Sequence, residues 1–74
     1  MPHSADLDFV GETEESFSVP FIVAQIRRRI SLLRVHKVPF EHLYVQVFDA
    51  DTAAAVTDRL HPTTEQPLVR LRWL

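Results

Sequence analysis

The chain has 74 residues and a mass of 8.6 kDa, enough for one small hydrophobic core but too little for two domains. Its residues are 46% hydrophobic and 24% charged, a globular composition that excludes a wholly disordered chain and a coiled-coil rod. The absence of cysteine excludes a disulfide framework and a zinc ribbon, and favours a reducing, cytoplasmic location. The acidic N-terminal residues do not resemble a signal peptide, and no apolar run approaches the roughly 20 residues that cross a membrane.

Charge is separated along the chain. The net charge is −2, but residues 1–15 hold five acids and no lysine or arginine, whereas residues 16–74 hold five acids and eight bases. The acidic segment also has few large apolar residues. We therefore predict a flexible acidic tail over residues 1–15 and a single α/β binding domain over residues 16–74.

The first half of that domain predicts a short strand and then a long helix. Residues 16–19 alternate polar and apolar side chains, which is typical of a strand. Pro20 then opens a helix with Ser18 as its N-cap, and the helix runs to about residue 37. Its apolar side chains recur at intervals of three and four residues, at Ile22, Ile26, Ile30 and Leu33.

The second half predicts a strand, a helix and a final strand. Residues 42–48 are rich in β-formers with apolar side chains on both faces, which indicates a central strand. Asp49 or Asp51 can cap a second helix that ends at the His61-Pro62 pair. Residues 68–73 then alternate apolar side chains with two arginines, so the last strand has one basic face.

These elements predict a small two-layer α+β domain, with two helices on one face of a two- or three-stranded sheet. The strand-helix-strand order favours a parallel βαβ unit, and antiparallel pairing of the last two strands is the alternative. The predicted core consists of Ile22, Ile26, Ile30, Leu33, Val45, Val47, Val56, Leu60, Leu71 and Trp73.

The residues give little support for catalysis. The four histidines lack the spacing of metal ligands, and the single glycine excludes a glycine-rich phosphate loop. No serine lies in a nucleophile elbow. Asp49 and Asp51 have a spacing that can hold Mg²⁺, but helix capping explains them more simply. We expect a protein that is not an enzyme and has no metal or cofactor.

One side of the first predicted helix suggests a binding surface. Successive residues are rotated by about 100° around a helix. This rotation places four residues on a side away from the core stripe, the apolar side chains Ile22, Ile26, Ile30 and Leu33. The four are Phe21, Arg28, Leu32 and Val35. Apolar surface edged by arginine is typical of protein interfaces. Alternatively, the N-terminal segment covers this side of the helix through Phe9 and Phe17. We add Arg27, which lies beside the core stripe, and the two arginines of the last strand. The predicted partner-binding residues are Phe21, Arg27, Arg28, Leu32, Val35, Arg70 and Arg72.

Two other functions remain open, a nucleic-acid-binding protein and an oligomeric interaction subunit. Residues 27–29 are three consecutive arginines, which suggests phosphate binding. Consecutive residues diverge by about 100° around a helix, however, so the three form a collar instead of a single reading face. The negative net charge also opposes non-specific phosphate binding, so we expect nucleic acid only as a secondary contact.

Residues 16–20 read Ser-Phe-Ser-Val-Pro and lead into a helix, then a Val38-Pro39 pair and an aromatic strand. This order resembles small bacteriophage proteins that bind host RNA polymerase, and the similarity spans residues 16–47. The resemblance implies binding to the polymerase β′ subunit in the bacterial cytoplasm, displacement of σ, and inhibition or antitermination without catalysis. The chain departs from that pattern, because its helix is rich in arginine where an acidic face is expected.

Overall fold

A computed structural model describes residues 3–8 and 18–73 of the chain. Its main elements alternate between strand and helix in the order βαβαβ. They are β1 (His3–Asp8), α1 (Val19–Val35), β2 (Phe40–Gln46), α2 (Ala50–Arg59) and β3 (Val69–Arg72), with a 3-10 helix at Gln66–Leu68 before β3.

The strands form one sheet of three in the order β1-β2-β3, and both pairs are parallel. β2 is central, as its apolar sequence predicts. Tyr44 of β2 lies in register with Asp6 of β1 and with Arg70 of β3. The parallel pairing of β2 with β3 excludes the antiparallel alternative.

Both helices pack on the same face of the sheet and close one core. Leu43 and Val45 point from β2 towards the helices, as does Val47 directly after the strand, and all three are buried. They belong to the same hydrophobic cluster as the inner residues of α1 and α2. The fold is therefore the small two-layer α+β domain that the sequence predicts.

Seven of the ten predicted core residues are buried, and three are not. Leu33 and Leu71 are half-buried. The placement of Trp73 in the core is wrong, because β3 ends at Arg72 and the indole beyond it is 49% exposed. The buried residues that our predicted core lacks are Val23, Leu43, Ala53 and Val69.

The ends of α1 follow known capping rules. The Ser18 hydroxyl accepts a hydrogen bond from the Phe21 N–H at 3.3 Å, which confirms Ser18 as the N-cap. At the other end Lys37 has a φ of 54°, in the left-handed region that favours glycine. The Val38 N–H donates to the Leu33 carbonyl at 2.8 Å across this turn, which satisfies one carbonyl of the last helical turn.

Side chains also cap both ends of α2. Asp49 Oδ1 accepts from the Thr52 N–H at 2.8 Å, and this bond lowers the pKa of the Asp49 carboxyl. Gln66 Nε2 donates to the Thr57 carbonyl at 2.9 Å and to the Leu60 carbonyl at 3.3 Å. These two hydrogen bonds from Gln66 tie the 3-10 helix before β3 to the end of α2.

The N-terminal region differs from our expectation. We predicted a flexible tail over residues 1–15, but His3–Asp8 form β1 and pair with β2. Residues 9–15 lie outside the described residues. The strand predicted over residues 16–19 is also wrong where it can be compared, because Ser18 is the N-cap of α1 and Val19 its first residue. The other two residues of that predicted strand lie outside the described part of the chain.

Candidate functional site

Five residues form a line along the outside of α1, which we name the outer stripe: Phe21, Gln25, Arg28, Leu32 and Val35. They are spaced by four and three residues in alternation, so they lie on one side of the helix. That side is opposite the buried stripe of Ile22, Ile26 and Ile30.

The outer stripe exposes large apolar side chains. Phe21 is 40% exposed, Leu32 is 41% exposed and Val35 is 72% exposed. Arg28 lies between them along the helix and is also exposed. Among the described residues, a groove of 260 Å³ lies here, lined by Gln25, Arg28, Arg29 and Leu32. The surface therefore suits a macromolecule better than a small ligand.

Arg27, which we predicted in the binding surface, is engaged within the chain. Its guanidinium donates to both carboxylate oxygens of Glu65, from Nε to Oε2 at 2.8 Å and from Nη2 to Oε1 at 3.0 Å. Nη2 also donates at 3.1 Å to the carbonyl of Arg59, the last residue of α2. Arg27 therefore links α1 to α2 and to the loop after it.

Glu65 is a structural residue that our sequence analysis does not single out. Besides Arg27, its Oε1 accepts from the His61 N–H at 2.7 Å. The hydrogen bonds from Arg27 are the main reason why the pKa of Glu65 is lowered to about 2. No local signal predicts this pair, because the two residues are 38 positions apart.

The sheet face away from the helices has a different chemistry, and we name it the open face. It carries His42, Tyr44 and Gln46 from β2, which alternate with the buried residues of that strand. β3 adds Arg70 and Arg72, both exposed. The two predicted arginines thus lie together, on the opposite side of the protein from the outer stripe.

Contacts within the open face join β3 to β2. The Arg72 guanidinium carbon lies 5.2 Å from the centroid of the Tyr44 ring, a cation–π distance. Arg70 Nη2 lies 3.1 Å from His42 Nε2. The rings of His42 and Tyr44 meet edge to face, with their centroids 6.3 Å apart. The open face is therefore an ordered surface of aromatic, polar and basic groups.

A third surface feature is a groove of 520 Å³ between α2 and β3. Its lining is mainly apolar, with Ala53 and Ala54 on the helix side and Leu71 and Trp73 on the strand side. The small side chains of α2 create the space, and Trp73 borders it. Thr57, Asp58, Gln66 and Arg70 supply its polar edge.

The described residues show no constellation that would hold a metal. No group of three or more histidine, aspartate or glutamate side chains comes together in the part of the chain that the structure describes. Asp49 is occupied as a helix cap, which is the simpler of our two interpretations of the Asp49 and Asp51 pair. His61 Nδ1 instead lies 3.2 Å from the Thr63 hydroxyl within a turn.

Among the predicted partner-binding residues, Phe21, Arg28, Leu32 and Val35 form one exposed surface and Arg70 and Arg72 another. The alternative in which Phe9 and Phe17 cover the outer stripe falls outside the described residues.

Comparison of the chain with protein-family models, curated proteins and solved structures found no significant match. Of the helices described, none has the length and apolar character to span a membrane.

Proposed function

We propose that this chain is a non-enzymatic protein-binding regulator that uses the outer stripe of α1 to occupy a surface of a larger partner. The observation that carries this proposal is the alignment of Phe21, Leu32 and Val35, all large and exposed, along one side of a single helix. A helix with exposed apolar residues at intervals of three and four can lie in an apolar groove of another protein.

The mixture of groups in the outer stripe favours a protein partner over a nucleic acid. Three apolar side chains accompany a single arginine, and arginine is enriched at protein interfaces. Arg27, which would strengthen a phosphate-binding collar, already pairs with Glu65. The partner that fits is therefore an apolar groove with an acidic residue placed to pair with Arg28.

The resemblance of residues 16–47 to phage proteins that bind host RNA polymerase supplies the partner class. We therefore propose bacterial RNA polymerase as the partner and the bacterial cytoplasm as the setting. In this role the chain acts by steric occupation and needs no catalytic group. The arginine in the outer stripe predicts that the docking site on the polymerase is acidic.

The test is binding of the chain to purified bacterial RNA polymerase, with and without σ. We expect the double variant Arg28→Glu, Leu32→Ser to bind at least tenfold more weakly, because it removes an apolar anchor and reverses a charge. Arg34→Glu is the matched control, since Arg34 is exposed on α1 but lies outside the outer stripe. It should bind as the parent does.

The melting temperatures of both variants should lie close to that of the parent, because the changed side chains are exposed. Failure of the parent chain to bind polymerase would reject the partner class. Equal loss of binding in the double variant and the control would reject the outer stripe as the docking surface.

A further inference from the structure

β3 lies at an edge of the sheet, and its backbone groups face two directions. It pairs with β2 on one side, and among the strands that the structure describes none lies beyond it. The Val47 N–H donates to the Arg72 carbonyl at 2.8 Å, so the backbone of Arg72 faces β2. Successive residues of a strand direct their N–H and C=O groups to opposite sides. The N–H and C=O of Leu71 therefore face the outer edge, where an added strand can pair with them.

The groove of 520 Å³ between α2 and β3 lies along this outer edge. Its walls come from α2, β3 and the turn between them, and β2 lies on the other side of β3. Ala50 and Ala54 line the helix side, and Leu71 and Trp73 line the strand side. A strand added beside β3 would direct every second side chain towards the helices and into this space. We name the outer edge of β3 together with this groove the edge groove.

Apolar side chains at the edge groove are open to solvent. Trp73 is 49% exposed there, and Leu71 is half-buried. Ala54 of α2 is exposed as well. A large aromatic side chain beside an apolar recess is typical of the centre of a protein interface. The edge groove therefore offers apolar contacts in the same place as the outward backbone groups of Leu71.

Two charged residues mark opposite sides of the edge groove. Arg70 is exposed and lines the groove, and it alternates with Leu71 so that it belongs to the open face of the sheet. Its Nη2 lies 3.1 Å from His42 Nε2, a contact with a ring nitrogen and not with a carboxylate. Asp58 lines the helix side of the groove. An added strand would thus find a positive charge on the open face and a negative charge beside α2.

We propose that the edge groove binds an extended segment of a partner protein in which acidic residues alternate with apolar ones. The segment adds a fourth strand beside β3, so that its backbone pairs with the outward N–H and C=O of Leu71. Its apolar side chains enter the groove against Leu71 and Trp73. Its acidic side chains lie on the open face beside Arg70, because neighbouring strands place opposite charges favourably there.

The same features argue against other occupants of the edge groove. Two β3 strands pairing around a two-fold axis at Leu71 would place Arg70 opposite Arg72 of a second copy, and like charges placed opposite are destabilising. A nucleic acid has no groups that match the backbone pattern of a strand edge, and its phosphates would lie close to Asp58. A compact small molecule would leave the backbone groups along the edge unpaired.

The test uses a short synthetic peptide that alternates glutamate with valine and carries a fluorescent label. Its binding to the full chain is followed by fluorescence anisotropy, and we expect saturable binding. A peptide of the same composition with its glutamates and valines in two separate blocks should bind about tenfold more weakly or worse, because it cannot match both faces at once. Absence of binding by the alternating peptide, or equal binding of the two peptides, would overturn the proposal.

N-methylated peptides test whether the backbone pairs with β3. In an added strand the N–H groups of alternate residues face β3, and the others face away. One peptide is methylated at the glutamate nitrogens and another at the valine nitrogens. Exactly one of them should lose binding by about tenfold or more, and which one it is reports the direction of the added strand. Equal behaviour of the two peptides would exclude strand addition.

Variants of the chain test the position of the site. Ala54→Phe fills the edge groove and should weaken binding of the alternating peptide by about tenfold or more. Ala24→Phe is the matched control, because Ala24 is an exposed alanine of α1 outside the groove, and it should bind as the parent does. Melting temperatures of both variants should stay close to that of the parent, since both alanines are exposed. Equal binding by the two variants would contradict the assignment of the groove.

A charge exchange tests the role of Arg70. Arg70→Glu should weaken binding of the glutamate peptide and strengthen binding of a peptide that alternates lysine with valine. Trp73 is the single tryptophan of the chain, so a blue shift of its fluorescence in the parent reports that the peptide covers it. An unchanged preference of Arg70→Glu for the glutamate peptide, or a tryptophan spectrum that the peptide does not alter, would overturn the proposal.

The edge groove shares no residue with the outer stripe, so the two proposals can fail separately. The double variant Arg28→Glu, Leu32→Ser should bind the alternating peptide as the parent does, and Ala54→Phe should still bind polymerase. Loss of peptide binding in that double variant would place the site on α1 and overturn this proposal. If sedimentation shows that the parent is a dimer which the alternating peptide does not dissociate and does not bind, the β3 edge belongs to a second copy and the proposal is wrong.

Discussion

Arg27 and Glu65 form a two-pronged ion pair between the middle of α1 and the loop that follows α2. The shorter contact joins Arg27 Nε to Glu65 Oε2 at 2.8 Å, and the Glu65 side chain is only 19% exposed. Glu65 also accepts from the His61 N–H at 2.7 Å, so one carboxylate holds the second helix, its loop and the first helix together. Paired geometry of this kind makes an ion pair stronger than an isolated surface contact.

We predict that Glu65→Gln lowers the free energy of unfolding by about 1 to 2 kcal/mol, because it removes the charge and half of the paired geometry. Urea unfolding followed by circular dichroism measures the change. Glu41→Gln is the matched control, since Glu41 is exposed on β2 and should change stability by less than about 0.5 kcal/mol. Equal effects of the two variants would contradict a structural role for Glu65.

The same pair predicts how stability depends on pH. The pKa of Glu65 is lowered from 4.5 to about 2, mainly by hydrogen bonds from Arg27. A lowered folded-state pKa means that the carboxylate stabilises the fold fully above its unfolded pKa and loses this contribution as pH falls towards about 2. The stability difference between the parent and Glu65→Gln should therefore shrink as pH falls through this range. Melting temperatures of both proteins across the acid range measure it, and a constant difference would contradict the assignment.

Much of the fold is predictable because the helices carry local signals. Ser18 and Asp49 cap α1 and α2 as their positions before apolar periodic segments predict. β1 was missed because Asp6 and Asp8 have low strand propensity and resemble a solvated tail. Its formation depends on pairing with β2, more than 30 residues away, and such long-range pairing has no local signal.

The candidate surfaces are predictable to a different degree. The outer stripe follows from helical periodicity, so Leu32 and Val35 were found directly. The role of Arg27 was missed because its partner Glu65 comes from a distant loop. Trp73 was misplaced because alternation continues along the sequence one residue past the last residue of β3. Both errors concern residues whose surroundings are set by tertiary contacts or by the point at which a strand ends.

We predict that Lys37→Gly raises the free energy of unfolding by about 0.5 to 1 kcal/mol. Lys37 has a φ of 54°, and a residue with a Cβ atom pays for this left-handed conformation. Chemical denaturation at neutral pH measures the gain. Lys37→Ala is the matched control, because it removes the same side chain but keeps the Cβ atom. If both substitutions shift stability equally, side-chain loss and not backbone conformation explains the effect.

The last prediction compares two large apolar residues that the sequence alone does not distinguish. Ile26 is fully buried between α1 and the sheet, whereas Trp73 is 49% exposed beyond the end of β3. Ile26→Ala should cost about 2 to 5 kcal/mol, because it leaves a cavity in a core with few residues to spare. That loss is a large part of the total stability expected for so small a domain.

Trp73→Ala should cost less than about 1.5 kcal/mol, since nearly half of the indole already contacts water and its removal opens only the edge of the groove between α2 and β3. The urea unfolding midpoints of both variants, compared with that of the parent, measure these two losses of stability. Ile26→Val is the control for a small cavity and should fall between the parent and Ile26→Ala. If Trp73→Ala proves as damaging as Ile26→Ala, the indole is packed against the protein, and the groove between α2 and β3 is not open in solution.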